Sequence, residues 1–210
     1  MPWPLVPGLT ERLTAGARVA DVSCGTGHAL VVLAAAFPDS EFVGYDVAGD
    51  ALVRARAEAA EAGFSNVTFE LADVAALRVP EPLDVVFAID AIHDQVAPAA
   101  VLRGVHDALA PEGTFVMVDM AASSNLEDTV ANPSVPWIYS VSTPHCLTVS
   151  LAGGGAGLGA AWGEQTARRM LGEAGPISRT AAFGSPASNS ARRRTAVPSH
   201  PGGTTRLRCE

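Results

Sequence analysis

An acid, two glycines and a second acid stand in the first quarter of the chain at a spacing that suits nucleoside binding. Asp21 lies in an apolar run, Val19-Ala20-Asp21-Val22, followed by Ser23-Cys24-Gly25-Thr26-Gly27 and an Ala/Leu-rich stretch from His28. Glycine lets the backbone turn tightly and lets a ligand lie against bare main chain. A helix beginning after Gly27 turns its free N–H groups and positive dipole end toward such a ligand. Asp46, 19 residues beyond Gly27, closes a second run, Glu41-Phe42-Val43-Gly44-Tyr45-Asp46. A carboxylate there can accept hydrogen bonds from both ribose hydroxyls of a nucleoside. These residues predict a site for an adenosine-containing cofactor. His93 adds a different chemistry, because its near-neutral pKa suits taking a proton from a hydroxyl or amine. A histidine in such a loop also serves as a plain hydrogen-bonding residue.

These residues must be held by alternating strands and helices. Apolar runs predict strands at 18–23, 41–46, 67–72, 84–90 and 114–119. Helical patterns fill 28–36, 50–62, 98–110 and 163–174. The alternation is the signature of a parallel α/β sheet, here doubly wound and Rossmann-like. Gly63 and Gly113 sit where helix C-caps belong, and Pro98 suits a first helical turn. After the fifth strand the periodicity breaks. Residues 121–162 form an insertion placed to cover the crevice at the strand ends. Its Gly153-Gly154-Gly155-Ala156-Gly157-Leu158-Gly159 run reads as a tight-packing or flexible turn, since no strand precedes it and no lysine follows. From Gly175 the sequence turns to Ser, Pro, Gly and Arg, with Arg192-Arg193-Arg194. It is predicted to form a disordered basic tail, 175–210, behind one domain spanning 1–174. So abrupt a change near residue 175 is what a shift of reading frame would produce; a natural tail for an acidic partner is the alternative.

Composition narrows the chemistry further. The chain has 210 residues, 48% hydrophobic and 17% charged. It contains no lysine, which excludes Walker-type phosphate loops and lysine Schiff bases. Residues 1–172 carry eight Arg against 20 acids, a balance opposed to nucleic acid as substrate. No apolar run approaches a membrane span and the N-terminus lacks signal-peptide character. Cys24, Cys146 and Cys209 are scattered without ligand spacing, so no metal is expected and a reducing cytoplasm fits best.

The motif Asp21-x-Ser23-x-Gly25-x-Gly27 resembles the first motif of class I S-adenosylmethionine (SAM) dependent methyltransferases, with Ser23 where the family has its first glycine. A dinucleotide fingerprint would need a third glycine at Leu30. Val67 to Val74 resembles the family's third strand with its terminal Asp73. Asp84 to His93 resembles its fourth strand and following loop. The segments Asp90-Ala91-Ile92-His93-Asp94-Gln95 and Tyr139 to Leu151 are similar to a bacterial subgroup whose catalytic domain follows an N-terminal winged-helix domain. Relative to that subgroup the chain is expected to be truncated, lacking the N-terminal part and the last two strands, of which the final one is inserted antiparallel.

What the resemblance implies is specific. Asp21, Ser23, Gly25 and Gly27 frame the methionine end of SAM, Asp46 with Val47 holds the ribose, and Asp73 with Val74 meets the adenine. Asp90 lines the cofactor or substrate, His93 is the candidate base, and His145 with Cys146 lines the acceptor pocket. His28 reads as structural. The expected activity is methyl transfer to a small-molecule acceptor, with a homodimer left open. The competing readings are a SAM-binding remnant without catalysis and, further off, an NAD-dependent oxidoreductase.

Overall fold

The computed structural model describes residues 6–130 and 132–176, together with the backbone of 179–184 and 204–206. The chain opens with a short helix, α1 (Leu9–Thr14), whose Leu9 and Leu13 are buried one turn apart. Then come β1 (Arg18–Val22), α2 (His28–Ala36), β2 (Glu41–Asp46), α3 (Gly49–Ala62) and β3 (Val67–Leu71). A single 3-10 turn, Val74–Ala76, leads to β4 (Leu83–Ile89), and a second, Ile92–Asp94, leads to α4 (Pro98–Ala108). β5 (Leu109–Asp119) is followed by α5 (Leu126–Thr129), α6 (Val135–Ser142), α7 (Cys146–Ala152) and α8 (Glu164–Ala174).

β1 to β5 form a parallel sheet in the order 3-2-1-4-5. The order reverses between β1 and β4, and that reversal opens a crevice at the carboxyl ends of the strands. Alternation along the strands divides the core in two. Val19, Val85 and Phe87 point toward α1, α2 and α3, where they meet Leu13, Leu30 and Leu52. Ala20, Val86 and Phe115 point the other way, onto Leu102 and Val105 of α4 and Met170 and Leu171 of α8. Both faces are covered, so β1 and β4 are buried almost throughout, as central parallel strands must be.

The expected caps divide. Gly63 ends α3 at φ 74°, its neighbourhood donating to the Ala59 and Ala60 carbonyls. Pro98 opens α4. Gly113 is no helix cap: α4 stops at Ala108 and Gly113 lies inside β5. The register along β4 jumps from Leu83↔Leu109 to Val85↔Thr114, so the stretch expected to end the helix is spent on an irregular strand entry.

The chain past residue 174 also departs from expectation. Backbone of β6 (Arg179–Gly184) pairs in parallel with β5 over its full length, and β7 (Thr204–Arg206) pairs in parallel with β6. The reading of 175–210 as a tail without regular structure is corrected at these two segments; 177–178, 185–203 and 207–210 lie outside the described residues. Main-chain groups supply the physical reason. The outer edge of β5 carries a row of N–H and C=O groups that extended backbone can satisfy without apolar periodicity. No antiparallel strand occurs among the described residues.

Residues 121–162, which show no clear period, hold the three short helices α5, α6 and α7. This insertion is strapped to the loop after β4. Gly159 N–H donates to the His93 carbonyl at 3.1 Å, Ala156 N–H to the Val96 carbonyl at 3.1 Å, and the buried Ser150 Oγ to the Gln95 carbonyl at 2.8 Å. The glycine run is here for close packing: a Cβ on Gly155 would lie 2.5 Å from the Val96 Cα. No helix among the described residues is long and apolar enough to cross a membrane.

Candidate functional site

The turn after β1 is built from two left-handed glycines and one left-handed serine. Ser23 has φ 62°, Gly25 φ 56° and Gly27 φ 73°. An L-residue in this region is strained, and Ser23 is held there by its side chain, whose Oγ accepts a 3.0 Å hydrogen bond from Gln95 Nε2. The two glycines serve different ends. A Cβ on Gly27 would sit 2.3 Å from the Phe69 ring and 2.8 Å from the Ala55 Cβ, so this glycine lets α2 approach the sheet. A Cβ on Gly25 would meet nothing within 4 Å. Gly25 therefore faces open space, the side from which a ligand can reach the main chain.

Two carboxylates flank that turn. Asp46 is buried at the end of β2, where Oδ2 accepts from the Gly25 N–H at 2.7 Å and Oδ1 from the Ala48 N–H at 2.8 Å. Asp21 is 2% exposed, and its Oδ1 has no hydrogen-bond partner. Burial, reinforced by the charge of Asp46, pushes the Asp21 carboxyl up to about 8. Burying a carboxylate oxygen without a partner is costly, and a cation beside it would relieve that cost. Burial and the same two acids push the Cys24 thiol up to about 12, so Cys24 is inert at neutral pH.

The remaining predicted positions spread along the rim. Val47 is exposed at the start of the β2–α3 turn. Asp73 caps the turn that follows it, Oδ1 accepting from Ala75 N–H at 2.9 Å. Val74 is buried in the core beneath α4. His28, exposed at the start of α2, pairs with Glu58 of α3 at 2.5 Å.

The positions expected to face an acceptor collect at the ends of β4 and β5. His93 is 2% exposed and shares a 2.9 Å hydrogen bond between Nδ1 and Asp119 Oδ1. With Nδ1–H donating to the carboxylate, Nε2 is the lone-pair nitrogen. Asp119 Oδ1 also accepts from the Met120 N–H at 2.7 Å, while Oδ2 is buried without a partner. Asp90, at φ 55°, brings Oδ1 to 3.8 Å from His93 Nδ1. Burial opposes the His93 imidazolium, but the Asp119 hydrogen bond and the charges of Asp119, Asp90 and Asp94 outweigh it and raise the pKa. Burial raises Asp90 and Asp94 as well, against the pull of His93. Asp90, His93 and Asp119 can each offer one ligand atom within 4.8 Å of the others, a spacing that also suits a cation.

His145 and Cys146 come over the same region. Burial pushes the Cys146 thiol up, and the charges of Asp94 and Asp90 add to it. Cys146 itself packs with Ile138 and Ala160 against Met120. Sequence reasoning missed Asp119 and Gln95. Asp119 had a signal: like Asp46, it ends an apolar strand at the crevice edge.

Residues 13–175 match the family model described as a methyltransferase domain. Over 105 residues the chain is 35% identical to the trans-aconitate 2-methyltransferase of Methylobacterium nodulans, covering 50% of this chain and 39% of that protein. Its identity to the enzyme of the same name from Streptomyces coelicolor is 33% over 101 residues, covering 48% of this chain and 33% of that one. The chain thus spans well under half the length of these curated relatives. Among solved structures, the YcgJ protein of Bacillus subtilis aligns with a TM-score of 0.51 at 29% identity, over 62% of this chain and 54% of that one.

Proposed function

We propose that this chain, which belongs to the methyltransferase-domain family, binds SAM along the carboxyl ends of β1, β2 and β4 and catalyses methyl transfer to a small molecule. The observation that carries this reading is the unpartnered, buried Asp21 Oδ1 in a strand whose following turn has an open face at Gly25. A zwitterionic ligand whose ammonium reaches Asp21 and whose body lies over bare glycine backbone fits both features. When bound, SAM supplies a methyl carbon made electrophilic by its sulfonium charge.

The protein's part is to orient and to move a proton. Asp21, Ser23, Gly25 and Gly27 would hold the amino-acid end. Asp46, with Val47 beside it, would receive the ribose hydroxyls on lone pairs left free by its two amide bonds. Asp73 and the Val74 main chain would meet the base. His93, its Nδ1 anchored by Asp119, presents Nε2 as proton acceptor for the nucleophile. Asp90, His145 and Cys146 would border the acceptor, under the α5–α7 cover. Free thiols at Cys24 and Cys146 suit a reducing cytoplasm.

Calorimetric titration with SAM, S-adenosylhomocysteine (SAH) and NAD tests the reading. Saturable binding of SAM and SAH without NAD is expected; a folded chain that binds none of them, or only NAD, sinks it. Binding without turnover on any acceptor would leave a SAM-binding protein.

A further inference from the structure

Among the described residues, the acceptor side of the site gathers three acids and no arginine or lysine. Asp90 is half exposed at the rim, Asp94 is half buried, and Asp119 is buried with Oδ2 unpartnered. Around them the flanking sequence supplies no lysine or arginine to neutralise an anion, and the cation nearest the acids, His93, is already paired with Asp119. The chain has no lysine, and neither 79–102 nor 104–167 contains an arginine. Those segments supply the ends of β4 and β5, the loop around His93 and the whole insertion. Arg103 is exposed on α4, about one and a half turns from its first residue. His145 is the one basic side chain in 121–162.

An acceptor carrying carboxylates would add its charge to three acids in a partly desolvated place, where like charges repel strongly. An alcohol must build negative charge on oxygen amid the same acids. A protonated amine is drawn in, and the positive charge that its nitrogen regains on methylation is offset by the acids already there. We propose that the acceptor is a primary or secondary amine that arrives as its ammonium. This inference rests on the methyltransferase reading above and narrows it. The ammonium gives one proton to His93 Nε2. The freed nitrogen lone pair forms the N–CH3 bond while the S–CH3 bond breaks, its electron pair staying on sulfur as the neutral thioether. The product leaves as a methylated ammonium, and His93 passes its proton to solvent.

The test uses the whole chain in EDTA, so that no divalent cation shares the three donors. SAH is titrated first. The SAH-loaded chain is then titrated with amine, alcohol and carboxylate on matched bodies: 2-phenylethylamine, 2-phenylethanol and phenylacetate, and hexylamine, hexanol and hexanoate. Methyl transfer from labelled SAM is followed on the same six. The expected result is amine binding at least tenfold tighter than the matched alcohol, no carboxylate binding, and methyl transfer to the amines. Asp94→Asn and, separately, 500 mM salt should each weaken the amine at least threefold. Equal or tighter binding of alcohol or carboxylate, or an amine affinity indifferent to Asp94→Asn, overturns the amine assignment while SAH binding keeps the methyltransferase reading. A folded chain that binds no SAH overturns both.

Discussion

The Asp46 carboxylate accepts a hydrogen bond from the Gly25 amide at 2.7 Å, tying the end of β2 to the turn after β1. The same residue holds Ala48 N–H with its other oxygen. Asp46 is therefore a builder of the glycine turn as well as a candidate ribose ligand. Asp46→Ala should lose stability by about 1–3 kcal/mol, because the Gly25 and Ala48 amides lose a charged partner. SAM affinity should fall at least tenfold beyond that. Asp46→Asn keeps one acceptor oxygen and should fall between. Thermal melting and SAM titration of both variants check the pair; wild-type affinity in a stable Asp46→Ala removes the ribose role.

Gly25 and Gly27 should separate function from folding. Gly27→Ala forces a Cβ against Phe69 and Ala55 at φ 73°. Overpacking of this kind costs about 1–3 kcal/mol and the left-handed backbone about 1–2 more. Gly25→Ala meets no neighbour, so only the backbone cost applies to the free chain. Its methyl group would stand where the ligand is expected, and SAM affinity should drop at least tenfold. Melting curves and calorimetry on the two variants would show the crossover.

Asp21 sets a proton linkage to ligand binding. Its carboxyl sits at about 8, so it is mostly neutral at pH 7 in the free chain. A ligand ammonium beside it favours the carboxylate, and SAM binding at pH 7 should release up to about one proton. Titrations in buffers of different ionisation enthalpy measure that number; zero release removes the Asp21–ammonium contact. Because the folded pKa lies above the unfolded value of about 3.9, stability falls as pH rises from there through about 8 and then levels off. Asp21→Asn should melt higher than wild type above pH 8, yet bind SAM more weakly.

His93 should titrate above the usual histidine range because Asp119, Asp90 and Asp94 favour its charged form. Methyl transfer that needs Nε2 free falls as pH drops through that pKa. Asp119→Asn removes the largest favourable partner, so the acid limb should move to lower pH and the rate above it should fall as the ring loses its anchor. Histidine resonances followed by NMR give the pKa directly. The ion pair also contributes stability that is fully present below about pH 6.5 and is lost as pH rises through the folded His93 value. An unchanged His93 pKa in Asp119→Asn contradicts the pairing.

The strands β1 to β4 were legible because each is an apolar run wedged between strong helix or turn signals. The acid-and-glycine turn was legible because few other structures require Asp21, Gly25, Gly27 and Asp46 at those intervals. What the sequence hid was held by interactions without a local pattern. β6 joins the sheet by main-chain pairing. α5 to α7 are too short to display a period. The His93–Asp119 contact joins residues 26 apart, and only the parallel alignment of β4 with β5 brings them together. Gly113 misled because glycine marks an irregular strand entry as readily as the end of a helix.

The straps between 150–159 and 93–96 have a bearing on redesign. The main chain of the loop that carries His93 is gripped by the segment that would roof the acceptor, through Gly159, Ala156 and Ser150. The roof and the His93 loop form one exchangeable cassette rather than two independent parts. Transplanting a roof from another sheet of this kind to change what is methylated would need residues 92–96 moved with it, or the imidazole would arrive at a different height above the strand ends.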